Sequence, residues 1–241
     1  MNAPAHPLII TIDGPAGTGK SSVAHRLALR LGLEFLDTGA MYRAAALLAI
    51  ERSIPVTDGA GIAAALASTT LAFDWSSSPP RLLLGGRDVS QAIRSTQVTD
   101  AVSPVSACPD VRREMVRRQQ EIAAAHPRLV TEGRDQGSVV FPDAPLRIYL
   151  EADAQVRAQR RVGQLRAAGL AADEAGILRA IQHRDHVDST RAVGPLRVPD
   201  GAARVDTGHM DLDEVVTVLE KLARERLGPC LAAAASAPVS R

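Results

Sequence analysis

The 241-residue sequence predicts an α/β fold built on a parallel sheet. Three observations predict it. The apolar run "LIITID" (8–13) stops abruptly at Gly14, as a buried strand does before a tight turn. Strand, loop, helix, strand and helix then alternate through the first fifty residues, the order that generates parallel pairing. Hydrophobic residues make up 46% of the chain and aromatics only 2%, so the core is aliphatic and large enough for one sizeable domain.

The elements follow in order. "SSVAHRLALRLG" (21–32) carries Val23, Leu27 and Leu31 at helical spacing, with Gly32 as its stop. "LEFLD" (33–37) reads as a second strand and "GAMYRAAALLAIERS" (39–53) as a second helix. The pattern then changes. "TLAFDW" (70–75) and "RLLLGG" (81–86), around the turn "SSSPP", predict a small antiparallel insertion. A helix resumes over 109–125 with Pro109 at its start. "RLVTEG" (128–133) and "LRIYLEA" (146–152) predict two more core strands. Helices are expected over 153–168, 173–187 and 212–228, and a last strand over 203–208. Residues 1–7 and the low-complexity tail 229–241 are expected to be disordered.

Composition excludes several function classes. A formal net charge of +1 argues against nucleic acid or an anionic membrane as a bulk electrostatic partner. Cys108 and Cys230 lie far apart with no metal-ligand spacing, which fits a reducing compartment and no disulfide scaffold. "MNAPAHP" has no basic stretch followed by an apolar one, and no run approaches the roughly 20 apolar residues a bilayer span needs. A soluble, cytoplasmic protein is expected.

Gly14-x4-Gly19-Lys20-Ser21 matches the P-loop pattern between a strand and a helix. Its glycines let successive backbone N–H groups turn toward phosphate oxygens, and the helix N-terminus adds donors and partial positive charge. The expected ATP contacts are Gly14, Pro15, Ala16, Gly17, Thr18, Gly19, Lys20, Ser21 and Ser22. Lys20 is the point charge for the terminal phosphates, and the Ser21 hydroxyl is placed to ligand Mg²⁺. The motif by itself does not separate GTPase, ATPase and kinase.

The arginines narrow the choice. No N-K-x-D base-reading motif for a GTPase occurs. A kinase for a small phosphorylated acceptor needs a second anion site and mobile arginines beside the first. "LDTGAMYR" offers Thr38 and Arg43 at the start of a helix. Arg134 and Asp135 follow a predicted strand and belong at its carboxyl end, where open α/β sheets bind ligands. In "HRDHVDSTR", Arg184, Asp188 and Arg191 share a helical face at spacings of four and three. Arg157, Arg160 and Arg161 form a further helical cluster, either lid arginines or an exposed basic stripe.

Six stretches, in order, carry a resemblance: "TIDGPAGTGKSS", "LDTGAMYR", "GRDVSQAIRSTQVTDAVSPVSACPDVRREMVRRQ", "EGRDQGSVVFPDA", "RDHVDSTRAVGPL" and "VDTGHM". Together they resemble the bacterial cytidylate kinases over about residues 8–228. The resemblance implies a three-layer P-loop fold with a five-stranded parallel core, an acceptor-binding insertion at about 65–104 and a short helical lid at about 153–171. The core would comprise 8–64, 105–152 and 172–228. It implies transfer of the ATP γ-phosphate to CMP or dCMP, with Mg²⁺ as cofactor; no feature of the sequence demands a dimer, and a monomer is expected. Ser103, Arg112 and Asp135 would read the cytosine. Thr38, Arg184 and Asp188 would lie near the sugar and its phosphate, and Arg43, Arg134 and Arg191 would grip that phosphate. Lys20, Arg134, Arg157 and Arg161 would act on the transferring phosphoryl group.

The chemistry of these residue types agrees with that assignment. Cytosine presents an amino donor where uracil presents a carbonyl, so a carboxylate such as Asp135 favours the first and repels the second. A site built on such a bond can discriminate by about 10⁴-fold. The acceptor oxygen is already anionic, so none of the six histidines needs to act as a base. Ser138 stands where Thr is common in the family, and "AVGPLRVPDGAARVDTG" is looser than the usual pattern, with Gly201 and Gly208 at positions where small or hydroxyl residues are commoner. Two other readings compete: a P-loop kinase for another small acceptor, such as a different nucleoside monophosphate or shikimate, and a non-catalytic nucleotide-binding regulator.

Overall fold

The computed structural model describes residues 7–232. β1 (Leu8–Asp13) is buried along all six residues, because it is the middle strand of a sheet covered on both faces. The sheet order is β2 (Glu34–Asp37), β6 (Arg128–Gly133), β1, β7 (Leu146–Glu151) and β8 (Ala203–Asp206). Every pairing is parallel. After β1 the chain moves to one side of the sheet and later returns to the other. That reversal opens a crevice at the carboxyl end of β1.

Successive strand residues point to opposite faces and enter two cores. Ile10, Ile12, Phe35 and Val130 pack against α1 (Lys20–Leu31) and α8 (Leu212–Ala232) through Val23, Leu27, Val216 and Leu219. Ile9, Leu36 and Leu129 face the other way, toward α2 (Thr38–Glu51), α4 (Thr96–Ala107) and α5 (Pro109–Ala125). α2 is rich in buried alanine, which lets it lie close to its neighbours.

The insertion is the expected antiparallel unit. β3 (Leu71–Asp74), β4 (Arg81–Leu84) and β5 (Arg87–Asp88) form a second sheet of three strands. Two helices beside it were not expected from the sequence. α3 (Gly59–Ala67) is a short stretch of Gly and Ala around Ile62 and Leu66, without a polar face, and Asp58 caps it by accepting from Gly61 N. α4 contains Pro104, which argues locally against a helix; Val98, Val102 and Val105 stabilise it by burial. A π-type turn over Gln136–Val140 follows β6.

α6 (Ala154–Ala167) and α7 (Glu174–Thr190) lie close to the expected bounds. The end of the chain needs correction. Order was expected to stop at residue 228, but α8 continues through Pro229 to Ala232, with Leu231 packed against the core beside α1 and α8. Pro7 is likewise described, exposed, just before β1. The other residues of those two expected disordered ends, 1–6 and 233–241, lie outside the described residues. No helix of the described residues is long and apolar enough to cross a membrane.

Candidate active site

The loop from Gly14 to Gly19 joins β1 to α1 at the carboxyl end of the sheet. Gly14 is required by close approach: a Cβ there would stand 2.1 Å from the Leu150 carbonyl oxygen of β7. The loop folds on itself, with Lys20 Nζ donating to Pro15 O at 2.6 Å and Thr18 Oγ1 donating to the same carbonyl at 3.2 Å. Burial, with the Arg134 guanidinium adding to it, pushes the Lys20 ammonium down to about 7. A triphosphate in the loop favours the charged form. Metal-free ATP binding at about pH 8 should therefore take up a proton. Calorimetry in buffers of different ionisation enthalpy reads this uptake. Its absence would mean that Lys20 is already charged in the free protein.

Beside the loop lies a carboxylate group that the sequence reading passed over. Ser21 Oγ donates to Glu132 Oε1 at 2.7 Å, and Thr38 Oγ1 donates to Glu132 O at 2.6 Å. Asp37, the N-cap of α2, accepts from Ala40 N at 2.8 Å. Desolvation, then the Glu132 carboxylate, pushes Asp37 up to about 7. Asp13 accepts from Gln136 N and Gly137 N, and burial raises it to about 7 as well. Glu132 had a readable signal. It lies one residue before the end of β6, the strand next to β1, at the same end of the sheet as the phosphate loop.

The predicted acceptor residues form one charge network. Arg112, on α5, is paired with Asp135, and both are almost fully buried, at 1% and 2% exposure. The Arg112 guanidinium lies 5.4 Å from the Tyr42 ring centroid, and its Nη1 donates to Ser106 O at 3.3 Å. Arg191 reaches Asp135 at 3.9 Å and Asp188 at 3.7 Å. Arg134 Nε donates to Asp188 Oδ2 at 2.8 Å. Burial alone would raise Asp188, but Arg134, Arg184 and Arg191 hold it below the ordinary carboxylate range. Arg184 pairs with no carboxylate among the described residues, and burial followed by Arg134 lowers it to about 10.

Three buried guanidinium nitrogens in this network have no hydrogen-bond partner among the described residues: Arg112 Nε, Arg184 Nε and Arg191 Nη2. Each such orphan costs about 1–3 kcal/mol. A concentration of buried guanidinium donors suits an anionic, hydrogen-bonding ligand.

The remaining predicted residues are less alike than their sequence context implied. Arg43 donates to Ile93 O at 3.1 Å and Thr99 Oγ1 at 3.0 Å, tying α2 to the insertion. Ser103 sits on α4, where its carbonyl accepts from Ser106 Oγ; its hydroxyl makes no hydrogen bond among the described residues. The α6 cluster is not a uniform exposed stripe. Arg157 is buried against the phosphate loop, Arg160 donates to Met210 O at 3.1 Å, and only Arg161 is exposed.

The family model for cytidylate kinase matches residues 10–225. A protein named cytidylate kinase from Rhodococcus jostii is 48% identical over 221 residues, covering 92% of this chain and 96% of that one. One from Nocardia farcinica is also 48% identical, covering 92% and 95%. Among solved structures, a gluconokinase from Sinorhizobium meliloti superposes with a TM-score of 0.50 at 18% identity, covering 94% of this chain and 97% of that one. That likeness concerns the fold alone. The matches in sequence extend across the phosphate loop, the insertion and the buried arginine network, and the chain belongs to the cytidylate kinase family.

Proposed function

We infer that the chain transfers the γ-phosphoryl group of ATP to CMP or dCMP, releasing ADP and CDP or dCDP. The observation that carries this reading is the buried Arg112–Asp135 pair, linked through Arg191 and Asp188 to Arg134, whose charge bears on Lys20 of the phosphate loop. We assign Asp135, Arg112 and Ser103 to the cytosine. Thr38, Arg184 and Asp188 belong near the sugar and its phosphate, and Arg43, Arg134 and Arg191 grip that phosphate. Gly14 to Ser22 hold the ATP phosphates. The domain would be single, running from Leu8 to the end of α8 at Ala232, with the insertion at 65–104, the lid at 153–171 and a monomer as the working unit.

The residues derive a simple mechanism. An acceptor phosphate oxygen forms a bond to the γ-phosphorus as the bond from that phosphorus to the β-bridging oxygen breaks, the electron pair leaving with ADP. Two polyanions must approach, so the arginines lower repulsion and fix the line of attack. Lys20 follows the charge that develops on the β,γ side. Ser21, with Glu132 and Asp37 behind it, offers hard oxygen ligands that fit Mg²⁺, which supplies neutralisation of the phosphate oxygens when bound. Arg161, exposed on α6, is assigned to the lid side, and Arg157 acts from its place against Ala16 of the phosphate loop.

An ADP-release assay with ATP and Mg²⁺ tests this reading, offering CMP, dCMP, UMP, AMP, GMP and shikimate in parallel. Release with CMP and dCMP well above UMP is expected. Release with a different acceptor alone would discard the cytosine assignment of Ser103, Arg112 and Asp135 while keeping the kinase.

A further inference from the structure

Arg157 is committed to three acceptors at once. Its Nε donates to Ala152 O at 2.9 Å, its Nη1 to Ala16 O at 2.9 Å, and its Nη2 to Asp185 Oδ2 at 2.7 Å. Ala16 lies inside the phosphate loop, Ala152 lies just after β7 and before α6, and Asp185 is on α7. The stem of Arg157 also packs on Gly17, where an added Cβ would meet Arg157 Cβ at 3.4 Å. The guanidinium side chain is only 5% exposed, so its charge needs a fixed partner. Asp185 is that partner, and the pairing joins two halves of the site. On one side is the loop that holds the donor. On the other is the helix that carries Arg184 and Asp188 for the acceptor. Asp185 Oδ1 is buried with no hydrogen-bond partner among the described residues, and Oδ2 pairs with Arg157.

We propose that Asp185 is a positioning residue that locks Arg157 onto the Ala16 carbonyl and thereby couples the donor loop to the acceptor helix α7. This proposal rests on the assignment of the phosphate loop to ATP and of α7 to the acceptor. Binding the donor orders the loop, the loop orders Arg157, and Arg157 fixes Asp185 and the turn of α7 around it. Each ligand then tightens the other by the same factor, as linkage requires.

The test measures the affinity of a fluorescent non-hydrolysable ATP analogue, with and without CMP, in a double-mutant cycle of Asp185→Asn and Arg157→Gln. Asp185→Asn is expected to weaken donor binding about tenfold and to bring the mutual tightening by donor and CMP close to one. It should leave CMP binding alone within about threefold. In the Arg157→Gln background the same substitution should add nothing, because Asp185 acts through Arg157. Additive losses in the cycle, or undiminished coupling in a variant that has only a lower Tm, overturn the proposal. Arg157→Lys keeps the charge but cannot span three acceptors, so it should reproduce the coupling loss if Asp185→Asn does not fold. Undiminished coupling in Arg157→Lys overturns the proposal equally. Donor binding is read without turnover, so failure of the cycle is distinct from failure of the wild-type chain to phosphorylate CMP.

Discussion

Lys20→Ala is expected to lower kcat about 10³-fold or more without loss of the fold. The ammonium is the group best placed to follow charge onto the β,γ phosphates, and removing one preorganised donor of this kind costs about 10²–10³ by itself. The free protein gains little from it. Burial pushes Lys20 down from 10.5 to about 7, so the unfolded chain binds its proton more tightly than the folded one. Lys20 therefore contributes a stability that rises as pH increases from about 7 toward 10.5, and the alanine variant should lose that slope. Single-turnover ADP release and thermal melts across this range check both statements. A variant turning over within tenfold of wild type would remove Lys20 from the phosphoryl path.

Asp135→Asn is expected to erase most of the preference for CMP over UMP. The carboxylate accepts where cytosine donates, whereas an amide side chain can face either base. We expect kcat/KM for CMP to fall about 10²-fold, UMP use to change little, and ATP affinity to stay within about twofold. Asparagine is the informative replacement. Alanine would leave the buried Arg112 guanidinium without its partner, which costs about 3–5 kcal/mol and confuses specificity with stability. The surroundings leave little room for adjustment. Gly194 has φ +58°, and a Cβ there would lie 2.4 Å from both Arg112 Nη2 and Asp135 Oδ2, so the loop after α7 sits directly on the pair. Steady-state kinetics with both nucleotides decide the matter; an equal loss for CMP and UMP would make Asp135 a structural partner of Arg112.

Much of the arrangement was legible before any coordinates. The strands of the core sheet were readable because each is short, apolar and bounded by glycine or a charged residue, as "LIITID" and "RLVTEG" show. The phosphate loop was readable because its glycines, lysine and serine are adjacent in the chain. α3 and α4 were not, since their stability comes from Ile62, Leu66, Val98 and Val105 meeting partners elsewhere in the fold, not from local propensity. The end of α8 was misjudged for the same reason, because Leu231 has a core to pack on.

The sequence by itself determined that the chain carries a phosphate loop and groups of arginines at a strand end and on helices, while the cytosine role of Asp135 is what its family resemblance implies. Only the tertiary structure decided how those groups are used. It put Glu132 against Ser21, joined Arg112 to Asp135 across twenty-three positions, and turned Arg157 from a member of a basic cluster into a buried link between Ala16 and Asp185. The physical reason is the range of the forces. Periodicity, capping and turn chemistry act within a few residues and are written in order. Burial and pairing of charge act between residues that are neighbours only after the sheet has formed.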